Sequence, residues 1–307
     1  MMIDRVLKIL YQNIGQFVSG QNIGRSLGVS RSAVSKSITE LKNKGLDILS
    51  VSNKGHMLVK MDDVLDSDII TALTDKKTVF FDTCQSTNIE ARKLTHIQDI
   101  ELVIANTQAK GRGRRGRAFV SATGGVYMTY ILMPDLPPRH SMLINLAAGL
   151  AVFDTLTKYG FEPFLKYPND IYLDGKKVCG ILTETLADAD TLMWAITGIG
   201  LNVNNEIEED LADIAVSLSG SSGKNFLRAE IIKEIINQFD YYMTQDIVRH
   251  YRQKCAMIGS EITLINDDGT KINAIAVDIR DDGLLLISHN GTNKIAVGGE
   301  VSVRINN

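Results

Sequence analysis

The chain has 307 residues, 44% hydrophobic and 22% charged, an ordinary soluble balance with room for two or three domains. No apolar run approaches the ~20 residues that span a bilayer, and Met1-Met2-Ile3-Asp4-Arg5 lacks a signal-peptide pattern. A cytoplasmic protein with no membrane partner is therefore expected. The net charge of −3 conceals an asymmetry: residues 1–60 hold nine basic and three acidic residues, or +6, leaving −9 on the rest. A basic start on an acidic body points to a nucleic-acid-binding module joined to something else.

Val6, Leu7, Leu10 and Ile14 open the chain with a helical apolar pattern. Gln21 to Leu27 follows, then a break at Gly28-Val29-Ser30, then a second helix from Arg31 to about Lys44. Ser30 is suited to cap that helix, because its hydroxyl accepts from a first-turn amide. Val34, Ile38 and Leu41 should face inward, leaving Arg31, Ser32, Ser35, Lys36 and Thr39 outside. Two short helices around a glycine turn, the second basic and polar, read as helix-turn-helix. Ile48 to Val51 and Met57 to Val59 flank Ser52-Asn53-Lys54-Gly55 as a β-wing. Arg31, Ser32, Ser35 and Lys36 are the candidate DNA-groove residues; the alternative is a small helical domain that binds protein.

Asp62 to Asp68 is an acidic linker into a helix ending near Leu73, and from Val79 the pattern turns mixed α/β. Ser86-Thr87-Asn88 lies between a strand (Val79 to Phe81) and a helix (Ile89 to Leu94), placed either to cap the helix or to hydrogen-bond a polar ligand. Gln108 and Lys110 then precede Gly111-Arg112-Gly113-Arg114-Arg115-Gly116-Arg117, three glycines among four arginines between two strand-like runs. Glycine admits a ligand to the backbone and guanidinium grips phosphate or carboxylate oxygens in pairs. Such a loop should stay flexible and self-repelling until a polyanion such as a nucleotide arrives; nucleic acid is the alternative.

Lys166-Tyr167-Pro168-Asn169-Asp170 leads into Ile171-Tyr172-Leu173, then Asp174-Gly175, then Lys176 to Leu182. Asp-Gly between apolar runs signals a two-residue hairpin. Its register sets Leu173 against Lys176, Tyr172 against Lys177 and Ile171 against Val178, with Lys177 diagonal to Asp170. Gly180 leaves room for a ligand against the backbone. The strand from Met193 to Thr197 runs into Gly198-Ile199-Gly200-Leu201-Asn202, where paired glycines imply close approach of a ligand or another backbone. Ala215 to Asn225 reads as a flexible stretch before an amphipathic helix from Phe226 to about Met243. Five strands (Glu261 to Ile265, Ile272 to Ile279, Leu284 to Ser288, Lys294 to Val297, Val301 to Ile305) end the chain as a meander closing into a small barrel. Cys84, Cys179 and Cys255 are widely spaced and read as reduced packing residues, and the sequence gives no metal-site signal.

Together these segments resemble the biotin protein ligase family, in its bifunctional members that are also biotin operon repressors. The matches fall in the family's order: Ser86-Thr87-Asn88, Gln108 with the arginine loop, Lys166 to Asp170, Lys177 with Gly180-Ile181-Leu182, Gly198 to Asn202, and Gly298-Gly299-Glu300. The resemblance implies a multidomain α+β protein. A winged helix-turn-helix would occupy 1–62, a mixed α/β catalytic domain of biotin/lipoate ligase type 63–257, and a small SH3-like β-barrel 258–307. It implies that Ser86, Thr87, Asn88 and Gln108 line the biotin end, with Gly180 beside them. Arg112, Gly113 and Arg114 would fold over the biotin tail and phosphate, and Lys177 would reach the carboxylate and the forming acyl phosphate. Asn202 would lie near adenine and Arg304 would contribute to the ATP site. Phe119 stands where the family commonly has Trp, and Ala215-Val216 where an aromatic often precedes the Ser-Leu seen here as Ser217-Leu218.

The activity implied is two-step: biotin and ATP give biotinyl-adenylate and pyrophosphate, with Mg²⁺ neutralising the leaving group, and a biotin carrier protein's lysine then expels AMP. No Ser/His/Asp or Cys/His constellation is needed for that chemistry. The adenylate is expected to act as corepressor too, favouring a homodimer whose paired winged helices span operator DNA. The rivals are a lipoate ligase and a non-enzymatic, biotin-sensing DNA-binding regulator.

Overall fold

The computed structural model describes residues 2–97, 99–265, 269–296 and 300–303. It opens with α1 (Met2–Gln12), α2 (Gly20–Leu27), α3 (Arg31–Asn43), β1 (Asp47–Val51) and β2 (Gly55–Lys60). Val6, Leu7 and Leu10 of α1 meet Val34, Ile38 and Leu41 of α3 in the core, as helical spacing requires. Ser19 and Ser30 cap α2 and α3, accepting from the amides of Asn22 and Ala33. Between the helices Gly28 takes a φ of +68°, and the Val29 amide donates back to Gly24 O at 2.9 Å. A Cβ on Gly24 would lie 2.7 Å from that Val29 oxygen, so the turn admits no side chain there. β1 and β2 pair antiparallel, and a bridge from Val18 to His56 holds this wing against the start of α2.

The acidic junction leads into a helix, as expected, and is pinned to the amino-terminal module. Asp66 caps α4 (Ser67–Thr74), and Lys44 Nζ lies 2.6 Å from Asp66 and 2.8 Å from Asp68. The centre then runs β3 (Thr78–Cys84), α5 (Thr87–Leu94), β4 (Leu102–Gln108), β5 (Val126–Leu132), α6 (Ser141–Lys158), β6 (Phe164–Lys166), β7 (Asp170–Leu173), β8 (Lys176–Ala187), β9 (Leu192–Leu201), α7 (Leu218–Ser222), α8 (Arg228–Tyr242) and α9 (Ile247–Lys254). Seven strands form one sheet in the order β3-β4-β5-β9-β8-β7-β6, with β3 and β4 parallel and the other neighbours antiparallel. Alternation along the strands splits the core. Ile104, Met128 and Ile199 join the cluster that holds α6 and α8, whereas Val103, Ile131 and Ile196 pack with Ala91 of α5.

Two expectations are corrected here. Asp174 and Gly175 both take positive φ, 51° and 75°, as a tight hairpin demands, and Leu173 faces Lys176 and Tyr172 faces Lys177. A bulge then leaves Val178 unpaired, so Ile171 faces Cys179, not Val178, and Asp170 faces Gly180. The stretch from Ala215 to Asn225 is not uniformly loose, since α7 forms within it, capped by Ser217 and closed by Gly223 at a φ of +70°.

Antiparallel strands β10 (Glu261–Ile265), β11 (Lys271–Ile279), β12 (Leu285–His289), β13 (Thr292–Ile295) and β14 (Glu300–Val303) form a second sheet in the order β13-β12-β11-β10-β14. Among the described residues this sheet is open, with β13 and β14 as its edges, where a closed barrel was expected. Tyr167 anchors it to the centre: its hydroxyl donates to Gly283 O at 3.3 Å and accepts from Leu285 N at 3.2 Å. A continuous apolar cluster runs from Val6 through Ile199 to Ile287, so the three regions share a core.

Candidate active site

A cavity of about 150 Å³ opens where α5, the residues after β4 and the glycine-bearing strands β8 and β9 converge. Its wall includes Ser86, Thr87, Asn88, Gln108, Arg112, Gly113, Arg114, Lys177 and Gly180, nine site residues expected from sequence.

One end is neutral and cross-linked. Gln108 Oε1 accepts from Thr87 N at 2.8 Å and Thr87 Oγ1 at 3.2 Å, while Gln108 Nε2 donates to Ser121 Oγ at 2.8 Å. Thr129 Oγ1 lies 2.7 Å from Asn88 Oδ1 and 2.8 Å from Thr87 Oγ1, and so fixes both side chains from beneath. Asn88 Nδ2 donates to Leu182 O at 3.2 Å and Glu184 Oε2 at 2.9 Å. Ser86 precedes α5 yet makes no capping bond, so its hydroxyl stays on the cavity wall. Gly198 is there for Asn88, because a Cβ would stand 2.2 Å from Asn88 Oδ1.

The other end is cationic. The arginine loop folds back on itself as a hairpin. Bridges join Gln108 to Ser121 and Arg112 to Ala118, Gly113 N donates to Arg117 O at 2.8 Å, and Arg115 and Gly116 turn the chain at φ of 55° and 72°. A Cβ on Gly111 would meet Phe119 O at 2.3 Å, so closure needs glycine at that position. Arg114 Nη1 donates to Asn169 Oδ1 at 3.3 Å, and Lys177 Nζ pairs with Asp170 Oδ1 at 2.6 Å. Phe119 lies over the strand glycines: Cβ atoms on Gly180 and Gly200 would come 3.3 and 2.6 Å from its ring. Guanidinium and ammonium groups gathered in a concavity focus a positive field that favours an anionic ligand.

Asn202 does not reach this cavity wall; its amide donates to Val216 O and its oxygen accepts from Asn205. Arg304 and the Gly298-Gly299 pair lie outside the described residues. Thr129 was missed, because an isolated strand threonine carries no pattern until the fold sets it against Asn88. Asn169 lay within the Lys166 to Asp170 motif but was given no role, and the fold sets it against Arg114. The cysteines are buried, and burial pushes the Cys84 thiol up to about 11 and that of Cys179 higher still, so neither is poised as a nucleophile. Among the described residues no group of three or more His, Cys, Asp or Glu is placed to hold a metal, and no helix is long and apolar enough to cross a membrane.

On the amino-terminal module Arg31, Ser32, Ser35 and Lys36 all stand exposed on α3. His56 of the wing lies close to Gly20, as does Arg31: a Cβ there would sit 3.5 Å from the imidazole and 3.7 Å from Arg31 Cγ.

The family model described as the Biotin/lipoate A/B protein ligase family matches residues 80–202, and an HTH domain model matches residues 3–57. The bifunctional ligase/repressor BirA of Bacillus subtilis is 35% identical over 310 residues, covering 94% of this chain and 95% of that protein. The chain belongs to this ligase/repressor family. BirA of Escherichia coli is 28% identical, with 94% of each chain covered. The biotin protein ligase from Aquifex aeolicus, solved in complex with biotin and ATP, matches at a TM-score of 0.62 and 28% identity over 74% of this chain and 98% of that one. Membership is consistent with both halves of the architecture: the cavity lies in the ligase region, and the exposed α3 belongs to the helix-turn-helix region.

Proposed function

We propose that this chain activates biotin with ATP, passes it to a lysine of a biotin carrier protein, and represses transcription when the adenylate is bound. The observation that carries the reading is the division of one cavity into a neutral amide-and-hydroxyl end and an arginine–lysine end. The first suits a ureido ring, which both donates and accepts; the second suits a carboxylate beside phosphates.

In the first step a biotin carboxylate oxygen bonds to the α-phosphorus of ATP, and the bond to the bridging oxygen of pyrophosphate breaks. Two anions must meet, so the barrier is largely electrostatic, and fixed cations lower it. Arg112, Arg114 and Lys177 take that role, with Asp170 holding Lys177 Nζ in place. Magnesium would enter on the nucleotide's phosphates and neutralise the leaving pyrophosphate. In the second step the carrier lysine's amine attacks the mixed anhydride carbonyl, AMP leaves, and the amine gives up a proton. The folded hairpin shields the anhydride from water. Asn202 and Arg304 are assigned to the nucleotide's outer end, where Asn202 would act by bracing Val216, whose amide donates to Lys177 O at 3.0 Å.

Arg31, Ser32, Ser35 and Lys36 would enter the DNA groove, with a ligand-dependent homodimer presenting two such helices to operator half-sites. The domain limits 1–62, 63–257 and 258–307 belong to the same reading, as does completion of the last sheet into a small SH3-like barrel, which the bulge in β11 favours by bending the strand. Biotin- and ATP-dependent labelling of a biotin carrier domain tests the enzyme, run beside Lys177→Ala and Arg114→Ala. Labelling by the wild type that collapses in both variants is expected; no labelling by folded wild type would leave a non-enzymatic biotin-sensing regulator as the better account.

A further inference from the structure

A buried guanidinium joins the helix-turn-helix module to the base of the arginine hairpin. Arg228 opens α8 with its side chain 8% exposed. Its Nε pairs with Asp63 Oδ2 at 2.9 Å, and its backbone amide donates to Asp63 Oδ1 at 2.9 Å. Its Nη1 donates to Asn106 Oδ1 at 3.0 Å and to Gly125 O at 3.4 Å. Asn106 lies near the end of β4, and Gly125 directly precedes β5, so the arginine hairpin is the chain between them. One side chain therefore grips both stems of the cavity's cover and the residue that follows the DNA-facing module.

A second strut runs alongside. Asn204 N donates to Gly124 O at 2.8 Å, and Asn204 Nδ2 donates to Asp63 Oδ2 at 3.2 Å. Gly124, at a φ of +104°, is seated so closely that a Cβ would lie 2.8 Å from Asn205 N. Other polar contacts of the module bypass the stems: Lys8 pairs with Asp75 just past α4, and Tyr11 donates to Glu230 of α8 at 2.8 Å.

We propose that Asp63 and Arg228 form the joint through which occupation of the cavity is transmitted to the DNA-facing module. The inference rests on the reading that the cavity takes biotin and ATP. A hairpin that tightens on its ligand moves Asn106 relative to Gly125. A buried guanidinium that lost either partner would be left unsatisfied, so Arg228 follows the stems and carries Asp63 with it. Neither residue lines the cavity, and both are positioning residues.

Amide hydrogen exchange on the full-length protein tests this, with and without biotin plus ATP, in wild type, Asp63→Asn and Arg228→Lys. In every form the ligands should slow exchange across residues 109–121. In wild type, exchange across residues 61–66 and in α1 should change as well, by about fivefold or more. Asp63→Asn keeps the size and one acceptor but loses the charge, and the change at 61–66 should fall below about twofold; Arg228→Lys, which cannot fork, should do the same. A merely structural role would alter exchange equally in both ligand states and leave that ratio intact, which would overturn the proposal. So would a wild-type response confined to the hairpin. If the wild-type hairpin itself ignores biotin and ATP, the functional reading fails and the joint fails with it.

Discussion

The two ends of the cavity are built on opposite principles. At the neutral end nearly every polar atom already has a protein partner: Thr129 reaches Thr87 and Asn88, Gln108 bridges Thr87 and Ser121, and Asn88 spans to Glu184. At the cationic end Lys177 keeps 31% of its side chain exposed even though it pairs with Asp170. The first end is part of the fold and recognises shape and hydrogen bonds. The second tolerates loss structurally and exists for charge that arrives with the ligand. Stability and activity should therefore separate between them.

The largest separation should come from Lys177→Ala. Carrier labelling is expected to drop by about 10²–10³-fold, the usual scale for losing one preorganised charge contact. Stability should change by no more than about 1 kcal/mol, because the pair is part-exposed, and a melting curve beside the assay checks this. A melt that collapses with the activity would erase the distinction. Gly198→Ala works at the other end and should raise the KM for biotin roughly tenfold with a smaller effect on kcat, since the new Cβ displaces Asn88 Oδ1 from 2.2 Å away. An unchanged KM would remove Asn88 from biotin binding. Thr129→Val keeps shape but deletes the shared hydroxyl, and denaturant unfolding should show a loss of about 1–3 kcal/mol, with KM for ATP unaltered.

The smallest effect lies outside both ends. Burial, then the charges of Lys42 and Arg31, holds the His56 imidazole below its ordinary 6.5. Unfolded chains then take up a proton that the folded protein refuses, so stability present above that pH is lost as pH falls through it. Melting temperatures recorded from pH 7.5 downwards should decline in wild type and flatten in His56→Gln, a slope that belongs to the wing and not to the cavity.

Much of this comparison was legible in the residues themselves. Helical spacing found the inner face of α3, Asp174-Gly175 gave the hairpin turn, and the strand glycines announced close approach, which proved to be Asn88 against Gly198 and Phe119 against Gly200. Long-range partners were not legible. The bulge at Val178 depends on how β7 and β8 fit their neighbours, and no local pattern marks it. The arginine loop read as flexible because charge repulsion is local, and its hairpin path was not legible because the bridges from Gln108 to Ser121 and from Arg112 to Ala118 cross the loop. Asp63 read as linker for the same reason: its partner, Arg228, is 165 residues away.

The central claim is that the cationic end joins biotin to ATP before any carrier arrives. Pyrophosphate release from the full-length protein, in a single turnover without carrier, tests it most directly. A burst near one equivalent per chain with biotin, and none with lipoate, is the predicted result. Folded protein that releases no pyrophosphate with biotin, or releases it equally with lipoate, would contradict the account.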